Sequence, residues 1–349
     1  MDKEASMSDA QYMQRCLDLA RSGAGYVAPN PMVGSVIVHD ERIIGEGYHE
    51  QYGEAHAEVN AINAVKDASQ LSHSTLYVNL EPCAHYGKTP PCADLIVQSG
   101  IKKVFIGCQD SYAKVNGQGI DKLKAAGIEV NVGLLEKESV DLNKWFFTFH
   151  EKKRPYIILK WAETVDGFVD ATRTSKDPSL KITCEASNVL VHKWRAEESA
   201  IMVAKNTAIR DNPSLNTRKY NGPNPTRILL DANLEIPTAH KLFDKQCKIL
   251  VINHIKDSSE VNIEYIKIPN VHDMKSVLNI LYERNIQSVL VEGGPTLHRS
   301  FYDAGLWDEI RKFVSPNAIN GGIEAMPLKL DADEQMKIGT DSLYIYRSR

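Results

Sequence analysis

The sequence predicts two successive α/β domains, each built on a mixed, largely parallel sheet. Three observations carry this. A chain of 349 residues exceeds one typical domain, so two are expected. Helix-period and strand-period segments alternate along both halves, the order that builds parallel sheets through crossover helices. A charged, proline-stopped run, Glu151-Lys152-Lys153-Arg154-Pro155, breaks the alternation near the middle and gives domains over residues 1–150 and 151–349.

The elements follow in order. Tyr12, Met13, Cys16, Leu17 and Ala20 form a helical stripe over 8–22, and Ser8 with Gln11 is a capping box at its start. Residues 33–39 and 43–48 are strands of a hairpin around Asp40-Glu41-Arg42. A helix is expected over 56–65, a strand over 74–80, a helix over 92–99 beginning near Pro91, and a strand over 103–107. A helix over 119–127, closed by glycine, and a strand over 128–132 complete the first half. The second half restarts with a strand over 156–160 and the turn Thr164-Val165-Asp166-Gly167. A helix over 185–195 precedes a strand over 200–204; further strands are expected over 228–231, 248–253 and 288–292. Residues 206–218, with Asp211-Asn212-Pro213, read as a long functional loop. Glu292-Gly293-Gly294-Pro295-Thr296 follows a strand and opens a helix over 297–304, a weak form of a phosphate-cradling loop.

Composition narrows the function classes. With 43% hydrophobic and 25% charged residues, this is an ordinary globular chain. A net charge of −4 and a pI near 6.3 give no basic footprint for nucleic acid. No apolar run approaches a membrane span, and the polar N-terminus is unlike a signal peptide. Six irregularly spread cysteines argue against a disulfide framework and for a reducing cytoplasm.

Residues 56 to 92 hold the densest chemistry: His56-Ala57-Glu58, Glu81-Pro82-Cys83, and Cys92 after eight intervening residues. One imidazole and two thiols can hold Zn²⁺ and leave a fourth tetrahedral position for water, whose pKa the metal brings to about 7. His56 and Glu58 cannot share one helix face, so His56 is expected at the helix entry. Glu58 is then the expected proton carrier, base toward the water and acid toward departing ammonia. A helix N-terminus at Cys92 favours thiolate there. The pattern matches the H-x-E then P-C-x-x-C signature of zinc nucleobase deaminases, with the second spacer lengthened. The rival is a closed structural zinc, for which His85 is the available fourth ligand. Within the spacer, His85, Lys88 and Thr89 offer donors suited to a phosphorylated substrate. Asn30, in Pro29-Asn30-Pro31, either bonds a pyrimidine edge or serves only its turn. A base-modifying RNA binder and a zinc-stabilised scaffold are the readings from other classes.

The run "HAEVNAINAV…LYVNLEPCAHYGKTPPCADLIVQSGIKKVFIGCQD" closely resembles the bifunctional riboflavin-biosynthesis deaminase/reductases. "PNPMVGSVIV", "KWAETVDG", "NTAIRDNPSLNTR" and "VEGGPTL" fit the same family, and the resemblance covers nearly the whole chain. It implies a cytidine-deaminase-like three-layer domain followed by a dihydrofolate-reductase-like α/β domain. The first would hydrolyse the 2-amino group of 2,5-diamino-6-(5-phosphoribosylamino)pyrimidin-4(3H)-one. The second would use NADPH to reduce the ribosyl to a ribityl chain. By resemblance, His56, Cys83 and Cys92 are the zinc ligands and Glu58 the proton carrier. NADPH would meet Ala162, Thr207, Asp211 and Gly294, Pro295, Thr296, Leu297, His298, Arg299 and Ser300. Substrate would meet Ser179, Arg195, Leu215, Arg218 and Glu292, the arginines as phosphate clamps. Lys181 stands where the family has tryptophan, with its charge available to a cofactor phosphate. Thr164 stands where the family has serine, and the segment 171–178 is longer than usual. Lys160, Asp166 and Glu292 are candidates to orient or protonate the reduced sugar. A homo-oligomer, dimer or tetramer, is also implied. The remaining alternative is a deaminase whose second domain has lost reduction.

Overall fold

The computed structural model describes residues 7–86, 90–111, 116–174 and 177–348. The chain separates into two compact units, Met1–Lys153 and Arg154–Arg349.

The first unit runs α1 (Asp9–Arg21), β1 (Gly34–His39), β2 (Arg42–Tyr48), α2 (Ala57–Asn63), β3 (Thr75–Leu80), α3 (Cys92–Gln98), β4 (Lys103–Cys108), α4 (Gln118–Ala125), β5 (Glu129–Val132), α5 (Glu136–Leu142) and α6 (Lys144–Lys152). Gln11 closes the start of α1 by accepting the Ser8 amide at 2.7 Å. Asp40 and Glu41 both take positive φ, 47° and 64°, which matches the twist of a tight hairpin. The sheet order is β2-β1-β3-β4-β5. The expectation of a largely parallel sheet needs correction here. Crossover through α2 makes β2 and β3 run alike, and β1 lies between them, antiparallel to both. Only the β3–β4 and β4–β5 pairings are parallel.

Alternation along the strands produces three layers. Val36, Val38 and Tyr77 pack against Tyr12, Met13 and Cys16 of α1. Their neighbours Ile37, Leu76 and Val78 face the other way, onto Ala61, Ala93, Ile96 and Leu123. The strand period of two thus sends successive residues into two cores. α5 and α6 were not anticipated: "EKESVDLNKWFFTFHEK" is charged at its start and mixes aromatic and polar residues.

The second unit runs β6 (Tyr156–Thr164), β7 (Phe168–Asp170), α7 (Glu185–Glu197), β8 (Ala200–Ala204), α8 (Lys205–Asp211), β9 (Thr226–Leu230), β10 (Ile249–Asn253), β11 (Ser258–Glu260), β12 (Ile263–Lys267), α9 (Met274–Glu283), β13 (Ser288–Val291), α10 (Pro295–Asp303), β14 (Glu309–Ser315), β15 (Ile323–Glu324), β16 (Glu334–Ile338) and β17 (Asp341–Arg347). Its large sheet has the order β11-β12-β10-β9-β8-β13-β6-β14-β17-β16. Pairings from β12 through β14 are parallel, and antiparallel strands close both edges. Ile157, Leu159, Met202, Ile228 and Val289 pack on one face with α9 and α10; Ile201, Val203 and Leu229 pack on the other with Ala208 of α8.

The expected loop over 206–218 is wrong in its first half, because α8 occupies Lys205–Asp211. Asp211-Asn212-Pro213 is a helix stop: Asn212 takes left-handed φ 41° and its amide returns to Ala208 O.

Candidate active sites

In the first unit, three element ends converge. His56 is the N-cap of α2, with extended backbone at φ −75° and ψ 165°, so its ring leaves the helix while Glu58 sits in the first turn. Cys83 follows the carboxyl end of β3, and Cys92 is the first residue of α3, after Pro91. His56 Nδ1 lies 3.6 Å from Cys83 Sγ and 3.3 Å from Cys92 Sγ. The three ligand atoms all lie within 4.8 Å of one another. With Zn–N and Zn–S bonds of ~2.1 and ~2.3 Å, one edge of a tetrahedron is about 3.6 Å, so this donor set fits a zinc ion. Among the described residues the cluster is His56, Cys83 and Cys92, without His85. That favours an open site over a closed one.

Glu58 is buried, 3% exposed. Burial pushes its carboxyl up to about 7, against the pull of His56. Cys83 is drawn down because the Cys92 thiol hydrogen-bonds to it, with His56 and the Cys92 amide adding to the effect. Cys92 is pushed up by that same bond and by burial. Asn30 Nδ2 lies 3.1 Å from His49 Nε2, and His49 stands edge-on to His56 with ring centroids 5.3 Å apart. Sequence reasoning missed His49, a histidine with no ligand-like spacing to either cysteine. Lys88 and Thr89 lie outside the described residues.

In the second unit, a cavity of about 1010 Å³ opens beyond the carboxyl ends of β6, β8 and β13, where parallel α/β sheets bind ligands. That is the upper end of the usual ~300–1,000 Å³ for a small-molecule site. Its lining carries seven Lys or Arg side chains against four Asp or Glu, a balance suited to anionic ligands. Gly294 caps α10 and Pro295 follows at its first position, leaving a helix N-terminus open for phosphate. At Gly293 a Cβ would lie 2.5 Å from Leu297 Cδ2, so a side chain there would push Leu297 aside. These features fit a dinucleotide. Deepest in the wall, Glu292 takes two bonds from Arg195, at 2.9 and 2.8 Å, with Lys160 at 3.9 Å. Burial alone would raise the Glu292 carboxyl, but Arg195 and Lys160 outweigh it and hold it at about 2. Lys160 is lowered by burial, and Glu292 only partly restores it.

Residues 6–108 match the cytidine and deoxycytidylate deaminase zinc-binding region, and residues 155–338 match the RibD C-terminal domain. The riboflavin biosynthesis protein RibD of Aquifex aeolicus is 39% identical over 337 residues, 95% of this chain and 93% of that one. The chain belongs to the RibD family. A RibD of Bacillus amyloliquefaciens is 40% identical over 93% of this chain and 89% of its own. A solved deaminase/reductase from Thermotoga maritima is similar with TM-score 0.90 and 36% identity, covering 97% and 98% of the two chains. Acinetobacter baumannii RibD superposes with TM-score 0.88 at 31% identity, covering 98% of this chain and 99% of that one. Family membership brings zinc with the deaminase region and NADPH with the RibD reductase domain.

Most residues assigned to the reductase site by resemblance to RibD do line the cavity: Ala162, Ser179, Lys181, Thr207, Asp211, Arg218, Glu292, Gly294, Pro295, Thr296, Leu297, His298 and Ser300. Three do not. Arg195 stands behind Glu292, Leu215 is buried in the core over α8, and Arg299 is exposed on the outer side of α10. The stretch 294–300 is mainly helix, and its inward residues serve packing. His298 bonds Val291 O at 3.1 Å and lies against the Trp161 ring. Asp166 is outside the cavity lining and instead accepts the Ile319 and Asn320 amides at 3.1 and 2.8 Å. Sequence reasoning missed Arg173, which ties Asp170, Asp211 and the Arg210 carbonyl together at the cavity edge.

Proposed function

We propose that the two units divide two successive reactions: residues 1–150 hydrolyse the 2-amino group of a phosphoribosylated diaminopyrimidinone, and residues 151–349 reduce its ribosyl group to ribityl. The RibD family is a bifunctional deaminase and reductase of riboflavin biosynthesis. The observation that carries the deaminase half is the convergence of His56 Nδ1 on both sulfurs beside the buried Glu58.

His56, Cys83 and Cys92 would hold zinc, whose Lewis acidity makes water nucleophilic at neutral pH. Glu58 would take the proton from the attacking water as C–O forms and then give it to the amine, so that C–N breaks and ammonia leaves. Its burial keeps bulk water from competing for that proton. Asn30 and His49 present polar edges on the side of His56 where a pyrimidine would enter.

The second unit's chemistry would be reduction of the aldehyde or imine carbon of the opened sugar, for which bound NADPH would be the hydride source. The α10 N-terminus and the cationic wall would hold the cofactor's phosphates. Glu292, locked by Arg195, would accept sugar hydroxyls, and Lys160 Nζ beside it would donate the proton to the heteroatom.

No helix among the described residues is long and apolar enough to cross a membrane. Six free thiols, two of them ligand candidates, suit the reducing cytoplasm. The family suggests a homo-oligomer, and the acidic pI speaks against a nucleic-acid partner.

The test is mass spectrometry of products from the diaminopyrimidinone substrate, with and without NADPH. Exchange of NH₂ for OH without NADPH, and addition of two hydrogens only with it, are expected. Deamination without any NADPH oxidation would leave a reductase unit that has lost its reaction.

A further inference from the structure

We infer that Glu81 is a positioning residue for the Cys83 sulfur, an inference that rests on the proposed zinc site. The lengthened spacer is the reason one is needed. When two ligand cysteines are two residues apart, a single tight turn presents both. Here eight residues separate Cys83 from Cys92, and closing a longer loop costs more entropy. Each sulfur therefore needs its own anchor.

Cys92 has one, as the first residue of α3. For Cys83 the anchor is Glu81, two residues before it. The Glu81 side chain is buried, 4% exposed, and its carboxylate collects four backbone N–H groups from a distant stretch of chain. Oε2 accepts from Asp110 and Gly117 at 3.2 and 3.0 Å. Oε1 accepts from Gly119 and Ile120 at 2.9 and 3.3 Å. Gly119 and Ile120 open α4, so the carboxylate also meets the positive end of that helix. The Glu81 amide donates to Cys108 O at 3.0 Å, extending the β3–β4 pairing by one rung. The contact is close enough to exclude a side chain: a Cβ on Gly119 would lie 2.0 Å from Pro82 O. The Glu81-Pro82 backbone is thus pinned between β4 and α4 immediately before it delivers Cys83. Cys83 then accepts the Cys92 amide on sulfur at 3.3 Å, and its carbonyl takes the Ala93 amide at 3.1 Å. Glu81 touches no ligand atom; it acts through the geometry of the turn.

Glu81→Gln keeps the shape, removes the charge, and puts an NH₂ where an oxygen now accepts two amides. Groups that orient metal ligands typically change metal affinity by about 10–100-fold. The experiment uses the full-length, zinc-loaded chain. Zinc release to a chromogenic chelator is timed for wild type, E81Q and C83S, with thermal unfolding and reductase activity measured on the same samples. Release from E81Q about 10-fold or more faster than wild type, with reductase activity retained, is the expected result. The cobalt-substituted E81Q protein should also show shifted thiolate-to-metal absorption. Zinc release at the wild-type rate, with or without a lowered unfolding temperature, overturns the positioning role while C83S still confirms the ligand set. A C83S chain that keeps zinc at full stoichiometry overturns the ligand reading, and this inference with it.

Discussion

The Arg195–Glu292 pair in the second unit is costly to disturb. Both side chains are nearly buried, 12% and 10% exposed, with Lys160 as the third charge. Replacing Arg195 by methionine keeps the stem and deletes the fork, leaving a buried carboxylate with only the more distant lysine. Breaking a buried pair in this way costs about 3–5 kcal/mol. A second route gives a similar figure. Glu292 is held at about 2 against an ordinary 4.5, and at 1.36 kcal/mol per pH unit that gap is worth about 3 kcal/mol. For a unit of this size, about 3 kcal/mol lowers the unfolding midpoint by about 6–12 °C. The assay is scanning calorimetry of the full chain, the second unit's transition being the one that NADPH moves upward. Because the folded carboxyl is depressed, its stabilisation is complete above pH 4.5 and is lost as pH falls through about 2. The difference between wild type and R195M should therefore narrow below pH 4.5. E292Q should cost at least as much as R195M, since Arg195 and Lys160 then face each other without a counter-charge. A loss under about 1 kcal/mol in R195M at pH 7, or a wild-type midpoint in E292Q, would refute this account of the wall.

Three further outcomes are expected. Glu58→Gln should retain zinc, by metal analysis, and lose about 10²–10⁴-fold in deamination; full activity would remove Glu58 from proton transfer. His298 is pushed down to about 4 by burial, despite its bond to the Val291 carbonyl. A depressed histidine contributes stability that is complete above pH 6.5 and lost as pH falls toward 4, so wild type should lose about 2 kcal/mol relative to His298→Gln between pH 7 and 5 in urea titrations; parallel pH curves would contradict this. Arg173→Ala frees Asp170, Asp211 and the Arg210 carbonyl at once, and should weaken NADPH binding several-fold by fluorescence titration while deamination stays unchanged. Unaltered NADPH affinity would make the tie purely local.

What could be read from the chain divides along the range of the interactions involved. Ser8 with Gln11, the alternation of Val36, Ile37 and Val38, and the Asn212-Pro213 stop are local, so period and capping chemistry expose them. Even there the helix before the stop is hard to read, because α8 spans only about two turns and buries only Ala208. The edge strand β16 carries little apolar pattern because it has one neighbour, and its residues Glu334, Gln335, Met336 and Lys337 are exposed. The zinc residues were legible for a different reason: ligand chemistry restricts residue types so strongly that three side chains identify the site without a fold. Arg195 and Glu292 are marked only by the family resemblance, which does not say that they pair across 97 residues, and nothing marks His49 beside His56 or the four amides around Glu81. Each of these is an ordinary residue type whose role comes from what the fold brings to it. The long gap between Cys83 and Cys92 joins the two kinds of information. Read as sequence, it marks an unusual deaminase. Read with the fold, it removes the single turn that would otherwise orient both sulfurs, so the demand for rigidity passes to Glu81, the residue at the other end of the same motif.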